Sequence, residues 1–260
     1  MRVLAPNPSP MTLDGTNTYV FAPPGSGEAL LIDPGPDDEV HRASLTEVLA
    51  EVDAEPRAVV LTHHHHDHAA AAARWARASG CELLAAAPAL TGAHRALEDG
   101  QRIGVGGSDI EVVATPGHTG DHLAFRLQGG GVLTGDHVLG RGTSVVVHPD
   151  GDLEAYLVSL RRLHDLGPHA LYPGHGPVLT EDPGGVIEFY LAHRRFREAQ
   201  VHHALSQAPA TPDELVAELY ADVDRRLWPA AAASLSATVT ALVARGQVRT
   251  DADGRCHLVV

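Results

Sequence analysis

The stretch Leu61-Thr62-His63-His64-His65-His66-Asp67-His68 lies between residues 57–61 (RAVVL), which read as a buried strand, and residues 69–77 (AAAAARWAR), which read as a helix. Side chains two apart on an extended turn point to one side, so His63 and His65 can grip one ion together. Asp67 and His68, at the helix entrance, then face a second. Imidazole nitrogens and a carboxylate oxygen are donors that Zn²⁺ accepts, at roughly 2.0–2.2 Å. A merely solvated polar loop is a poor account of six metal-capable residues set between a buried strand and an Ala-rich helix.

An ion with an open coordination position needs ligands from elsewhere in the chain, and three candidates follow strand-like runs. His118 sits in Thr115-Pro116-Gly117-His118-Thr119-Gly120, after residues 110–114. Asp136 sits in Thr134-Gly135-Asp136-His137, after 132–134, and His175 in Tyr172-Pro173-Gly174-His175-Gly176-Pro177, after 170–172. Glycine beside each lets the backbone turn sharply and approach closely, and loops after strands gather at one edge of a sheet. Further strands are expected at 18–21, 29–32 and 122–127, the first two joined by the turn Pro23-Pro24-Gly25. Residues 37–52 have helical spacing, with Val40, Leu45, Val48 and Leu49 on one face, and 153–166 read as an amphipathic helix. Strands and helices interleave, which predicts an α/β layered fold.

The set His63-x-His65-x-Asp67-His68, His118, Asp136 and His175 resembles the metallo-β-lactamase superfamily, over residues 12–180 or so. Leu31-Ile32-Asp33-Pro34-Gly35 fits the early strand-end segment of that family, whose Asp supports the metal loop. The resemblance implies an αββα sandwich and two metal ions. It assigns His63, His65 and His118 to the first, Asp67, His68 and His175 to the second, and Asp136 as the bridge. Zn²⁺ is expected first, with Mn²⁺ or Fe²⁺ as alternatives. Two such ions, about 3.5–4 Å apart, share a hydroxide that attacks the substrate, and Asp67 is expected to orient it as the catalytic residue. Asp33 is expected to orient the ligands rather than bind metal. His64 and His66 are expected to support the ligands or face solvent, and His122 and His137 to play structural roles. A mononuclear iron dioxygenase, known within the superfamily, is disfavoured by the complete second ligand set.

The texture changes near Pro183-Gly184-Gly185. Residues 186–205 read as one long helix with Arg194, Arg195 and Arg197 on it. Thr211-Pro212-Asp213-Glu214 opens another, with Thr as N-cap and Pro at the first helical position. Residues 227–243 form an Ala-rich helix, and strand-like runs at 247–250 and 256–260 flank the turn Asp253-Gly254. This order is that of a winged helix, giving expected divisions at 1–185, 186–206 and 207–260. Gly15-Thr16-Asn17-Thr18-Tyr19, the His193-Arg194-Arg195 helix and Leu227-Trp228-Pro229-Ala230-Ala231 narrow the resemblance to the β-lactamase-like protein 2 group, which ends in such a region. Glyoxalase II and ribonuclease Z are more distant, since no helical glutathione-binding domain or long inserted arm fits here.

The 260 residues carry 33 acidic side chains against 19 basic ones, a formal charge of −14. That balance disfavours indiscriminate binding to nucleic acid or anionic membrane. Residues 188–260 hold 8 Arg against 9 acids, so almost all of the excess lies before them. Every basic residue is Arg, which with abundant Ala and Gly is expected of a GC-rich bacterial gene. Two cysteines outside any CxxC pair, and no leader-like start, lead us to expect a cytoplasmic protein. No apolar run is expected to reach the length of a membrane span. The leading function is hydrolysis of a small-molecule ester, thioester or lactone. The alternative is cleavage of single-stranded RNA, with Arg194, Arg195, Arg197, Phe196 and Tyr190 as a small binding groove. A DNA-binding winged helix is disfavoured, because residues 227–243 carry no basic side chain.

Overall fold

The computed structural model describes residues 1–259. Its contacts divide the chain into two compact units, neither of them continuous in sequence. The first comprises Met1–Thr115, Asp121–Thr143 and Asp165–Pro183; the second comprises Pro116–Gly120, Ser144–His164 and Gly184–Val260.

The first unit is built on two sheets. One has the order β1 (Arg2–Leu4), β2 (Asn17–Phe21), β3 (Glu28–Ile32), β4 (Glu55–Val60), β5 (Glu82–Ala85) and β6 (Arg95–Ala96), antiparallel up to β3 and parallel beyond it. The other comprises β7 (Arg102–Val105), β8 (Ser108–Ala114), β9 (Leu123–Leu127), β10 (Gly131–Gly135) and β11 (Ala170–Pro173), in sequence order across the sheet, with only β10 and β11 parallel. Alternation along the central strands divides the core. Leu30, Ile32, Ala58, Val60 and Leu84 meet Ile110, Val112, Leu123, Phe125 and Leu133 of the second sheet. The intervening Ala29, Leu31, Val59 and Leu83 face helices α1 (Glu39–Glu51) and α3 (Ala72–Ser79) instead. A parallel strand covered on both faces reads as a continuous apolar run, as ALLI and AVV do here.

Two expectations change in detail. In α1 the buried face is His41, Leu45 and Leu49, while Val40 is exposed. The series 41, 45, 49 keeps the i, i+4, i+8 spacing, and the Asp38 side chain caps the helix by accepting from His41 N. The helix expected over 69–77 is two helices, α2 (His66–Ala69) and α3. The Gly35 peptide intervenes, its N–H donating to His68 O and its carbonyl accepting from Ala71 N. These contacts take groups that a continuous helix would pair internally.

The second unit gathers the loop 116–120, helix α5 (Leu153–Asp165) up to His164, and the C-terminal region; the short α4 (Pro88–Thr91) belongs to the first unit. Helix α6 (Pro183–Gln207) leads to α7 (Pro212–Leu219), which has the expected N-cap: the Thr211 side chain and Glu214 form a capping box. Then come α8 (Trp228–Ala244) and the antiparallel ribbon β12 (Val248–Thr250) and β13 (Cys256–Leu258). The expected last strand extends to residue 260, which lies outside the described residues. Val201 and Leu205 pack with Leu215, Leu235, Val239, Leu242, Val248 and Cys256 into one core. Residues Arg225–Ala244 are, against expectation, long and apolar enough to cross a membrane by length and composition. Leu235, Val239 and Leu242 of this stretch are buried in that core. Arg245, just beyond α8, pairs with Glu154 of α5 and Glu198 of α6.

Candidate metal centre

Asp33, at the end of β3, organises the histidine loop. Its carboxylate accepts from Thr62 N (2.7 Å), from the Thr62 hydroxyl (2.7 Å) and from His68 Nδ1 (2.9 Å), and the residue is almost fully buried. Since the one Thr62 hydroxyl proton goes to Asp33, that oxygen can only accept from His63 Nδ1, 2.9 Å away. The His63 Nε2 lone pair is thereby presented to His65 Nδ1, at 3.0 Å. His68 is fixed in the same tautomer by Asp33, and His175 by the Gly15 carbonyl, 3.1 Å from its Nδ1. Pinning one ring nitrogen to an acceptor is how proteins aim the other at a metal.

The nitrogens so aimed meet two carboxylates. His68 Nε2 lies 3.3 Å from His175 Nε2, and 3.4 Å from both Asp67 Oδ2 and Asp136 Oδ1. His175 Nε2 lies 3.2 Å from Asp67 Oδ2 and from Asp136 Oδ2. Asp67, His68 and His175 form one group able to hold an ion, and His63, His68 and Asp136 form another. Three imidazoles and two carboxylates whose ligand atoms gather within 4.8 Å in these groups suit a divalent cation of the Zn²⁺ type, so the residues fit the expected group.

Without a cation, protons serve as the counter-charge. Burial opposes charge on His175, but Asp136 and Asp67 outweigh it and push the pKa up to about 9. Burial likewise opposes charge on His68, yet Asp136, Asp67 and Asp33 raise it well above the usual value. The carboxyls move the other way. Burial would raise both, but His68 and His175 hold Asp67 and Asp136 below the ordinary carboxylate range.

Two glycines make room for this crowding. A Cβ on Gly174 would fall 2.4 Å from Asp136 Oδ1 and 2.7 Å from His68 Cε1. Gly135 has φ +47°, and a Cβ there would meet His122 Nε2 at 2.7 Å.

His118 belongs to the second unit, where its Nδ1 donates to Val145 O (2.7 Å) with Ser144 Oγ at 3.2 Å. Its tautomer is therefore also the one with the proton on Nδ1. Among the other histidines, His122 accepts from Asp136 N (3.2 Å) while its Nδ1 pairs with Thr115 Oγ1, so it holds the Asp136 backbone. His64 pairs with Asp121 (2.9 Å), His66 is exposed and His137 is buried.

The Gly15-Thr16-Asn17 segment has a role that the sequence does not disclose. Thr16 Oγ1 donates to Asp67 Oδ2 (3.0 Å), Gly15 O holds His175, and Asn17 Nδ2 donates to the carbonyls of Pro173 and Gly176 (2.8 Å each). The motif entered the sequence reading only through its resemblance to the β-lactamase-like protein 2 group, and its partners lie 51 to 160 positions away.

The expected RNA groove is not formed by its residues. Arg194 and Tyr190 are buried, and Arg197 stacks on Tyr220 and donates to Leu219 O. Only Arg195 and Phe196 remain exposed. On a helix these five positions point in different directions, and the inward ones are buried.

The profile of the metallo-β-lactamase superfamily matches residues 11–175. The chain belongs to the metallo-β-lactamase superfamily. The profile of the β-lactamase-associated winged helix domain matches residues 211–255, so this member has the superfamily's α/β sandwich followed by a winged helix. A Drosophila melanogaster β-lactamase-like protein 2 homolog is 34% identical, over 96% of this chain and 89% of its own length. An atrochrysone carboxyl ACP thioesterase of Aspergillus fumigatus is 38% identical, over 79% of this chain and 64% of its own. The crystal structure of a metallo-β-lactamase family protein from Thermus thermophilus aligns with a TM-score of 0.83 at 24% identity, covering 100% of this chain and 98% of that one. Superfamily membership and the His/Asp clusters make this chain a metal-dependent hydrolase.

Proposed function

We propose that this metallo-β-lactamase superfamily member is a dinuclear hydrolase of thioesters or related activated esters, including lactones. One observation carries the metal part: imidazole nitrogens whose other ring nitrogen is tied to an acceptor converge on Asp67 and Asp136. His63, His65 and His118 would hold one Zn²⁺, and Asp67, His68 and His175 the other, with Asp136 between them. When bound, such a pair lowers the pKa of a shared water to supply hydroxide and polarises the substrate carbonyl.

The chain's own groups then position and balance charge. Asp67, restrained by Thr16, orients the attacking oxygen. Asp33 and the Gly15 carbonyl keep the His68 and His175 rings in place. A thioester is favoured as substrate by the likeness to the Aspergillus thioesterase. Of the five side chains expected to form a groove only Arg195 and Phe196 are exposed, so helix α6 offers little to a single strand.

The test is a hydrolysis panel on purified protein of measured metal content. It compares acyl thioesters, lactones, aryl esters, bis(p-nitrophenyl) phosphate and single-stranded RNA. Thioester or ester turnover that Asp67→Asn and His68→Ala abolish is expected. Turnover of RNA alone, lost in the same variants, would overturn the substrate assignment.

A further inference from the structure

We propose that Arg194, on the C-terminal helix α6, is a positioning residue that seats the metal ligand His118. The inference rests on the reading above that His118 binds an ion.

Arg194 is only 4% exposed, and its contacts are to neutral groups. One terminal nitrogen donates to the Ser144 carbonyl, the other to Ser234 Oγ of α8 (3.2 Å). The guanidinium lies over the Tyr156 ring of α5, 4.8 Å from its centroid, and the buried Nε has no partner. Burying a charge without a counter-ion is unfavourable. An apolar side chain of similar length would fill the space without that cost. What distinguishes arginine here is the planar fork, which can hold a carbonyl and a hydroxyl at fixed angles while stacking on a ring.

The groups it holds are the walls of the His118 seat. Ser144 and Val145 supply the oxygens that face His118 Nδ1, at 3.2 and 2.7 Å. Tyr156 forms the opposite wall: a Cβ on Gly117 would fall 2.3 Å from the Tyr156 Cα and N. Alongside, Asp152 N donates to Gly117 O (2.9 Å) and Ser159 Oγ donates to Pro116 O (2.8 Å). Arg194 therefore joins both walls and anchors them to α8. Through it, the region beyond the sandwich fixes where the His118 ring stands.

The experiment uses full-length protein as wild type, Arg194→Met, Arg194→Lys and His118→Ala. Folding is checked by circular dichroism. Each protein is stripped of metal and titrated with Zn²⁺ against a chromophoric chelator, then with Co²⁺ while its visible spectrum is read. We expect His118→Ala to remove one equivalent of tight binding. Arg194→Met should weaken that same equivalent by about 10- to 100-fold, the range for groups that orient ligands. Arg194→Lys, which keeps the charge and loses the fork, should give a smaller shift and an altered Co²⁺ spectrum. The inference is overturned if both Arg194 variants fold and bind two equivalents as wild type does. It is equally overturned if they weaken both equivalents alike in step with their melting temperature, the mark of a general structural role. Should Arg194→Met not fold, Arg194→Lys decides by the same criteria. If His118→Ala loses no equivalent, the ligand assignment itself is wrong. If it loses one and the Arg194 variants lose none, only the positioning role fails.

Discussion

A methyl group at position 174 would sit 2.4 Å from Asp136 Oδ1, well inside contact distance. Gly174→Ala must therefore displace either the carboxylate or the loop that carries His175. Misplacing a catalytic group by about 1 Å costs on the order of 100-fold in rate, and a loss of that size in kcat/KM is expected. Unchanged kinetics would show that Asp136 does not need this position. The protonation of the site gives a second check. In the metal-free protein His175 has its pKa pushed up to about 9, so it is cationic at pH 7, and the neighbouring carboxylates shift His68 in the same direction. A histidine must be neutral to ligate, so cation uptake should expel protons, and apparent affinity should strengthen as pH rises toward 9. Calorimetric titration at pH 7 in buffers of different ionisation enthalpy measures this; heats independent of the buffer would contradict it. At this scale the candidate ligands were legible in the sequence because His and Asp beside glycine are uncommon residue types in a recurring setting. Their supports were not. Thr62, Thr16 and the Gly15 carbonyl are ordinary groups, which acquire meaning only through contacts made across the fold.

Among the elements, the central strands and long helices were legible from periodicity, since strong alternation or 3.6-residue spacing survives packing. The strands β1, β5, β6 and β7 were not, being two to four residues long with too little pattern to register. The break between α2 and α3 was hidden for another reason. Alanines favour one continuous helix, and it is the remote Gly35 peptide that takes the backbone groups there. In the C-terminal region propensity and packing agree, so its elements can be tested singly. Removing the Thr211 cap in Thr211→Ala should cost about 1 kcal/mol. Leu235→Ala, which empties a buried position between α6, α7 and α8, should cost about 2–5 kcal/mol. Denaturant unfolding followed by circular dichroism would compare them. A Leu235→Ala effect no larger than that of the cap would mean the C-terminal core is loosely packed.

For the molecule as a whole, cations held by the native fold and not by the unfolded chain add stability by mass action. At concentrations about a thousand times Kd the gain is about 4 kcal/mol, which at about 2–4 °C per kcal/mol is a shift on the order of 10 °C. Chelation should lower the melting temperature by that order, and readdition of Zn²⁺ should restore it; a melt indifferent to chelator would show that no cation contributes to folding. Composition bounded the whole chain only coarsely. The charge of −14 spoke against broad nucleic-acid binding, but the grouping of residues into units could not be read from neighbouring letters. Pro116–Gly120 and Ser144–His164 group with the residues from Gly184 onward. During synthesis His118 leaves the ribosome well before Arg194 and the last helices do. A nascent chain halted after the sandwich strands would hold that imidazole without the brace that Arg194 supplies. On the positioning role proposed for Arg194, a polypeptide cut short before that residue is expected to hold a cation at His118 more weakly than the whole chain does.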